Sequence, residues 1–290
     1  GRSNESIDLT DSTGSSTYVN FKETEIVRIL PKNNNEINES IISDKTRFSY
    51  DAIKTQRLQK LFEKSEYKNF KNSSWISILE KLDNLLKENS KVTFIVNSEL
   101  DFESLQLLSL IENKYYPNVS IRSIDEKVSN SFVSWNSDKI KNIQKDSKVG
   151  ILISSNIRME SAILNTKIRR KVISQIFDVI SIGQHSDLSF PAKFVNLNLS
   201  RIFEIFEGKS LISKYLLKHN SPIFFLGDSF NKRLKGEFSI NSFIKKIIPS
   251  SIILDIKKSA NSVGINYLGF KTISKSCIEN SDVCLAINLD

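Results

Sequence analysis

Short apolar runs alternate with amphipathic helical stretches along most of this chain, and that alternation constrains the fold more than any single motif does. The run Val149 to Ser154 is continuous enough for a strand buried on both faces. Behind it, Glu160 to Val172 places Leu164, Ile168 and Val172 on one side of a helix. Val92 to Asn97 precedes a helix over Asp101 to Lys114 that ends before Pro117, with Leu105, Leu108 and Ile111 on one face. An earlier helix starts after a Ser73-Ser74 cap signal, where Trp75, Leu79, Leu82 and Leu86 recur at helical spacing. Asp178 to Gly183, Lys193 to Leu197, Pro222 to Gly227 and Val283 to Ile287 are further strands, and Ser210 to Lys218 and Ile240 to Ile248 are helices. This β-α-β rhythm predicts an α/β fold with a doubly wound, mostly parallel sheet.

The first 61 residues differ. They are rich in Ser and Thr, turn at Gly14, and carry alternating runs at Thr17 to Phe21 and Glu25 to Leu30 that predict a hairpin. The expected organisation is a β-rich segment over 1–61 followed by a Rossmann-like α/β domain over 62–290.

With 290 residues, the chain is long enough for a properly buried core. It lacks the ~20 continuous apolar residues that a membrane-spanning helix requires. A net charge of +8 invites an RNA or anionic-lipid partner. The basic residues are nevertheless dispersed, and the densest run, Lys167 to Lys171, has no interleaved aromatics, so a solvated face or protein interface is expected instead. Cys277 and Cys284 are the only two cysteines, at a spacing that matches no zinc or iron-sulfur motif, and they are expected to be reduced, buried thiols.

Catalytic signatures are missing. No strand leads into G-x-G-x-x-G or a Walker loop, and the turn after Val149 to Ile153 reads Ser154-Ser155-Asn156. Gly227-Asp228-Ser229-Phe230-Asn231 lacks the closing glycine of a nucleophile elbow, and His185 and His219 have no partner at metal-ligand spacing. Asp44, Asp51 and Glu160 read as caps or ion-pair members. No catalytic, cofactor-binding or metal-ligating residue is therefore expected.

Two stretches are more specific. Glu25 to Lys32, Glu36 to Glu39, Ile42-Ser-Asp-Lys-Thr-Arg-Phe-Ser-Tyr-Asp51 and Gln56 to Leu58 resemble the large iron-sulfur subunit of respiratory complex I, at its molybdopterin-oxidoreductase-like domain. Glu5 to Asp8 and Gly14-Ser15 are similar to the point where that subunit leaves its iron-sulfur domain. From Gly150 to Arg170, the strand and Asn156, Arg158, Glu160, Asn165, Ile168 and Arg169 follow the family pattern.

The resemblance implies a non-catalytic, structural part of the peripheral arm of NADH:ubiquinone oxidoreductase, a proton-translocating complex. It would sit on the matrix side of the mitochondrial inner membrane without inserting into it. Ser43 stands where catalytic relatives place a cluster-holding cysteine, so the expectation is no cofactor in this chain, with iron-sulfur clusters and FMN in partner chains. Expected partners are other peripheral-arm subunits, above all a separate chain bearing the iron-sulfur ligands, and no nucleic acid. The ends imply a split or fragmentary subunit. Arg47 and Arg57 are the interface candidates, because a planar guanidinium suits bidentate contacts at a desolvated boundary. The alternative is an active molybdopterin- or nucleotide-dependent oxidoreductase.

Overall fold

The computed structural model of the chain describes residues 1–10, 13–55, 58–64, 69–87, 90–124, 147–196, 199–219, 221–227, 230, 240–257 and 261–288. Strands β1 (Arg2–Ile7), β2 (Ser16–Lys22) and β3 (Glu25–Pro31) precede helices α1 (Asp44–Phe48) and α2 (Tyr50–Thr55). A hairpin of β4 (Phe62–Lys64) and β5 (Phe70–Asn72) leads to α3 (Trp75–Lys87), β6 (Val92–Val96), α4 (Phe102–Leu110) and β7 (Val119–Ser123). Next come β8 (Val149–Ile153), α5 (Ile157–Glu160), α6 (Ala162–Ile173), β9 (Asp178–Ile182), β10 (Lys193–Val195), α7 (Leu199–Phe206) and α8 (Leu211–Leu217). The order closes with β11 (Ile223–Leu226), α9 (Ile240–Ile247), β12 (Ile252–Asp255), α10 (Ser262–Leu268), β13 (Lys271–Thr272), α11 (Lys275–Glu279) and β14 (Val283–Ala286).

The chain forms two compact units that interleave in sequence: Gly1–Phe48 with Lys127–Val263, and Ser49–Glu126 with Gly264–Asp290. The first contains an antiparallel sheet, β1-β2-β3, and a five-stranded parallel sheet ordered β10-β9-β8-β11-β12. Every residue of β8 is buried, and the reason is its place at the sheet centre with cores on both faces. Val149, Ile151 and Ile153 pack with Ile180, Ile202 and Phe224, while Leu152 packs with Leu164, Ile168, Phe177 and Phe225. Gly150 points to the second face, where a Cβ would lie 2.7 Å from the Phe177 ring and 3.0 Å from Phe225. The chain winds from β8 out to β10, then returns to β11 and β12 on the other side. Winding therefore reverses between β8 and β11.

The second unit is built on the same plan, with parallel strands ordered β13-β7-β6-β14 and a reversal between β6 and β14. Val92, Phe94, Val96, Leu105, Val119 and Ile121 form its core. At the carboxyl end of β6, Asn97 Nδ2 donates to the Asn288 carbonyl at 2.7 Å. The hairpin β4–β5 is tied to α3 through Glu63 and Lys81.

The α/β class and the small antiparallel segment are as expected, with one difference: the parallel strands form two sheets. The helix over Asp101 to Lys114 is α4, which continues as a π-helical turn at Ile111–Tyr115. The first half of the stripe on α3 is uncovered, with Trp75 65% and Leu79 55% exposed, while Leu86 packs on the core. The buried-thiol expectation also needs correction. Cys284 is exposed because β14 is an edge strand whose alternate residues face outward, and Cys277 is only half-buried on α11. A hydrogen bond from Ser274 Oγ (3.1 Å), followed by one from Arg122, lowers the Cys277 thiol to about 7.

Gly150→Ala should destabilise the first unit by ~1–3 kcal/mol, since two packed rings must shift to admit a methyl group. Its denaturant midpoint measures this. Alkylation of Cys277 should track the thiolate, reaching half its maximal rate near pH 7, with Ser274→Ala moving that midpoint upward. Mass-spectrometric labelling across a pH series reads both.

Candidate functional site

In doubly wound sheets, ligands enter beyond the carboxyl ends of the strands where the winding reverses. Here that place lies between the ends of β8 and β11, at Ser154 and Gly227. Ser154 adopts a left-handed backbone, φ 46°, and its N–H donates to the Ile182 carbonyl at 2.9 Å. The Gly227 N–H donates to the Ile153 carbonyl at 3.0 Å. A Cβ on Gly227 would fall 2.2 Å from the Ser154 carbonyl oxygen and 2.9 Å from Ser155 Cα, so only glycine fits. Gly183, at φ +135°, lies against the other side of Ser154. The backbone of Ser154 and Ser155 thus lies directly against Gly227 at this end of the two strands.

Around this turn the family-pattern residues form a polar shell. Ser155 Oγ donates to Glu160 at 2.8 Å, and Asn165 Nδ2 donates to Ser189 Oγ at 3.1 Å. Asn156 Oδ1 and Ser161 Oγ are buried with no hydrogen-bond partner among the described residues. Arg158 pairs with Asp187 at the surface, and the Ser189 N–H, then Arg158, hold the Asp187 carboxyl below its ordinary range. His185 is a loop residue against Phe194, with ring centroids 4.1 Å apart. Asp228, Ser229 and Asn231 lie outside the described residues.

A second constellation joins the end of β1 to α1. Asp8 is 3% exposed, accepting at Oδ1 from Thr10 N (2.9 Å) and Thr10 Oγ1 (2.8 Å), and at Oδ2 from the Thr46 hydroxyl. Thr46 Oγ1 lies 2.7 Å from Ser43 Oγ, which in turn accepts from Thr46 N at 3.1 Å and so caps α1. Lys45 Nζ donates to the Thr10 carbonyl at 3.1 Å. Arg47 is half-buried on α1 with no ion pair among the described residues. Arg57 lies outside the described residues. Asp44 and Asp51 stand in the first turns of α1 and α2, where a carboxylate suits the helix N-terminus.

The basic run of α6 links the two constellations. Lys167 Nζ donates to the Ile37 carbonyl, and Arg170 pairs with Glu39 at 2.7 Å, so the β3–α1 connection is clasped onto the helix that follows β8. Burial pulls the Lys167 ammonium below its ordinary range while Glu39 opposes that. Lys171 lies 5.9 Å over the Phe177 ring. Three of the four basic residues in this run are therefore engaged within the chain.

Sequence reasoning missed two buried groups. One is Asp8 with Thr46. The other is at the end of β12, where Asn241 Nδ2 lies 3.3 Å and Lys257 Nζ 3.9 Å from Asp255 Oδ2, all three residues at least nine-tenths buried. A charged residue closing an otherwise apolar run, as in Ile252 to Asp255, was the available signal.

Comparisons with known proteins give two family matches. Residues 57–266 match molybdopterin oxidoreductase, and residues 1–51 match the NADH-ubiquinone oxidoreductase NDSU1/NuoG-like, 4Fe-4S domain. The chain is 28% identical over 284 residues to the NADH-ubiquinone oxidoreductase 75 kDa subunit of Reclinomonas americana, covering 92% of this chain and 40% of that protein. To the mitochondrial NADH-ubiquinone oxidoreductase 78 kDa subunit of Candida albicans it is 27% identical over 251 residues, covering 81% and 34%. The 75 kDa subunit of Acanthamoeba castellanii is 30% identical over 258 residues, covering 83% and 37%. The chain thus spans between a third and two fifths of the length of these relatives.

The first match corrects the expectation that no cofactor belongs to this chain, with clusters and FMN confined to partner chains. Residues 1–51 match a 4Fe-4S domain, a kinship that the cysteine count could not register because the segment contains no cysteine. Asp8, Ser43 and Thr46, like the other polar side chains that this segment buries, offer hard donors, and these do not fit a cluster whose iron prefers thiolate. The molybdopterin group implied by the second match would meet, at the β8–β11 strand ends, the side-chain-bearing turn Ser154-Ser155-Asn156 packed on Gly227 in place of a glycine-rich turn. By sequence pattern and by fold, the chain belongs to the molybdopterin oxidoreductase family and carries ahead of that domain a segment of the NDSU1/NuoG-like 4Fe-4S domain.

Proposed function

We propose that this chain is a structural, non-catalytic part of the large iron-sulfur subunit of mitochondrial NADH:ubiquinone oxidoreductase. It supports electron transfer from NADH to quinone by holding its surroundings in place within the peripheral arm, on the matrix side of the inner membrane. The observation that carries this reading is a close contact: where the winding of the five-stranded sheet reverses, Gly227 lies against the backbone of Ser154 and Ser155. The names of its relatives, all subunits of that oxidoreductase, support the assembly.

The proposed partners are other peripheral-arm subunits, especially a polypeptide carrying iron-sulfur ligands. Arg47 and Arg57 are the proposed anchors. Arg47 is suited to the task because it is half-buried yet makes no ion pair among the described residues. A guanidinium placed in that way gains a carboxylate or carbonyl from a neighbouring chain at little entropic cost.

Arg47→Ala, and equally Arg47→Lys, should lower the amount of assembled complex on a native gel, because losing a buried charged contact costs about 2–5 kcal/mol. NADH oxidation per assembled complex should stay at the wild-type value. Normal abundance with depressed turnover per complex would favour an active oxidoreductase instead.

A further inference from the structure

The segment matched to the 4Fe-4S domain contains no cysteine and no histidine in residues 1–51. Any cross-link within it must come from other side chains. A three-stranded sheet is marginal unless one face packs on something, and all six residues of β1 are exposed. In iron-sulfur domains the thiolate–metal bonds supply such cross-links, since metal binding is coupled to folding.

We infer that in this chain the carboxylate of Asp8 supplies the cross-link within residues 1–51. Burying a carboxylate is costly unless each oxygen is satisfied, and here both are. Oδ1 takes the amide and hydroxyl of Thr10; Oδ2 takes the hydroxyl of Thr46, which Ser43 holds in turn. One side chain thereby fastens the end of β1, the turn after it and the start of α1. The β1–β2 ladder continues beyond the Ile7↔Ser16 pair through Asp8 N to the Ser15 carbonyl at 2.8 Å. Asp8 and Ser15 thus stand opposite each other with side chains on the same face. Ser15 Oγ on that face is fully buried and has no hydrogen-bond partner among the described residues, which marks a compartment of oxygen atoms only partly satisfied within itself. The nearby ammonium of Lys45 goes to the Thr10 carbonyl and completes the turn.

Native-state hydrogen exchange on the full chain tests this. Asp8→Asn keeps the side-chain volume but sets an N–H₂ against either the Thr46 hydroxyl or the Thr10 donors. Exchange in β2 and α1 should accelerate at least tenfold while the amides of β8 and β9 keep their wild-type protection. Thr46→Val, which removes the partner and spares the carboxylate, should produce the same pattern and gives the readout if Asp8→Asn fails to fold. Anaerobic incubation with ferrous iron, sulfide and a thiol reductant should leave exchange in residues 1–48 unchanged. Wild-type exchange in Thr46→Val would overturn the inference. So would a visible iron-sulfur charge-transfer band whose appearance slows exchange in this segment and is lost in Ser43→Ala.

Discussion

Strand β8 is the constraint on which the rest of the first unit depends. Its five residues are buried on both faces, and it is hydrogen-bonded to β9 on one side and β11 on the other. Such a strand cannot change register without moving every side chain to the wrong face. The turn at its carboxyl end is therefore held in place. Ser154 bends left-handed into the space where Gly227 alone can lie, and α5 and α6 leave from that turn. At the place where a doubly wound sheet ordinarily offers a ligand site, the Ser154 turn lies directly against Gly227.

The same strand positions the N-terminal segment. Helix α6 packs on β8 through Leu164 and Ile168, and its outer side presents Lys167 and Arg170 to Ile37 and Glu39. Arg170 and Glu39 are both substantially exposed, so their pair alone contributes about 0–1 kcal/mol. Lys167 is half-buried and bonded to a carbonyl, so it carries more of the clasp. Within the segment, the Asp8 network performs the corresponding task at short range. The basic run that suggested a charged surface is, in large part, the seam between the two matched regions of this unit.

Much of the architecture was readable from the sequence because it depends on local pattern. The apolar run at Val149, the helix carrying Leu164, Ile168 and Val172, and the strand from Ile223 all fall where periodicity places them. Periodicity could not assign strands to sheets. β6 and β8 are equally apolar and equally short, so their division between two sheets, and the interleaving of Ser49–Glu126 with Gly264–Asp290, depend on long-range pairing such as β6 with β14. Nor could it find Asp8, whose partner Thr46 lies 38 residues away. Ser43 and Lys45, which cap α1 and hold the Thr10 turn, are likewise joined to their roles by contacts that no period marks. The iron-sulfur kinship of residues 1–51 lay beyond the cysteine count, since pattern rather than ligand carries it.

The crevice at β8 and β11 separates packing from chemistry most directly, and Gly227→Ala addresses it. The methyl group would collide with the Ser154 carbonyl, forcing the two strand ends apart without adding or removing a functional group. NADH oxidation normalised to assembled complex, with complex abundance measured alongside, is the deciding quantity. A structural crevice predicts less assembled complex and unchanged turnover in each complex that forms. Normal abundance with reduced turnover per complex would mean that this crevice acts in the reaction, and the structural account would fail.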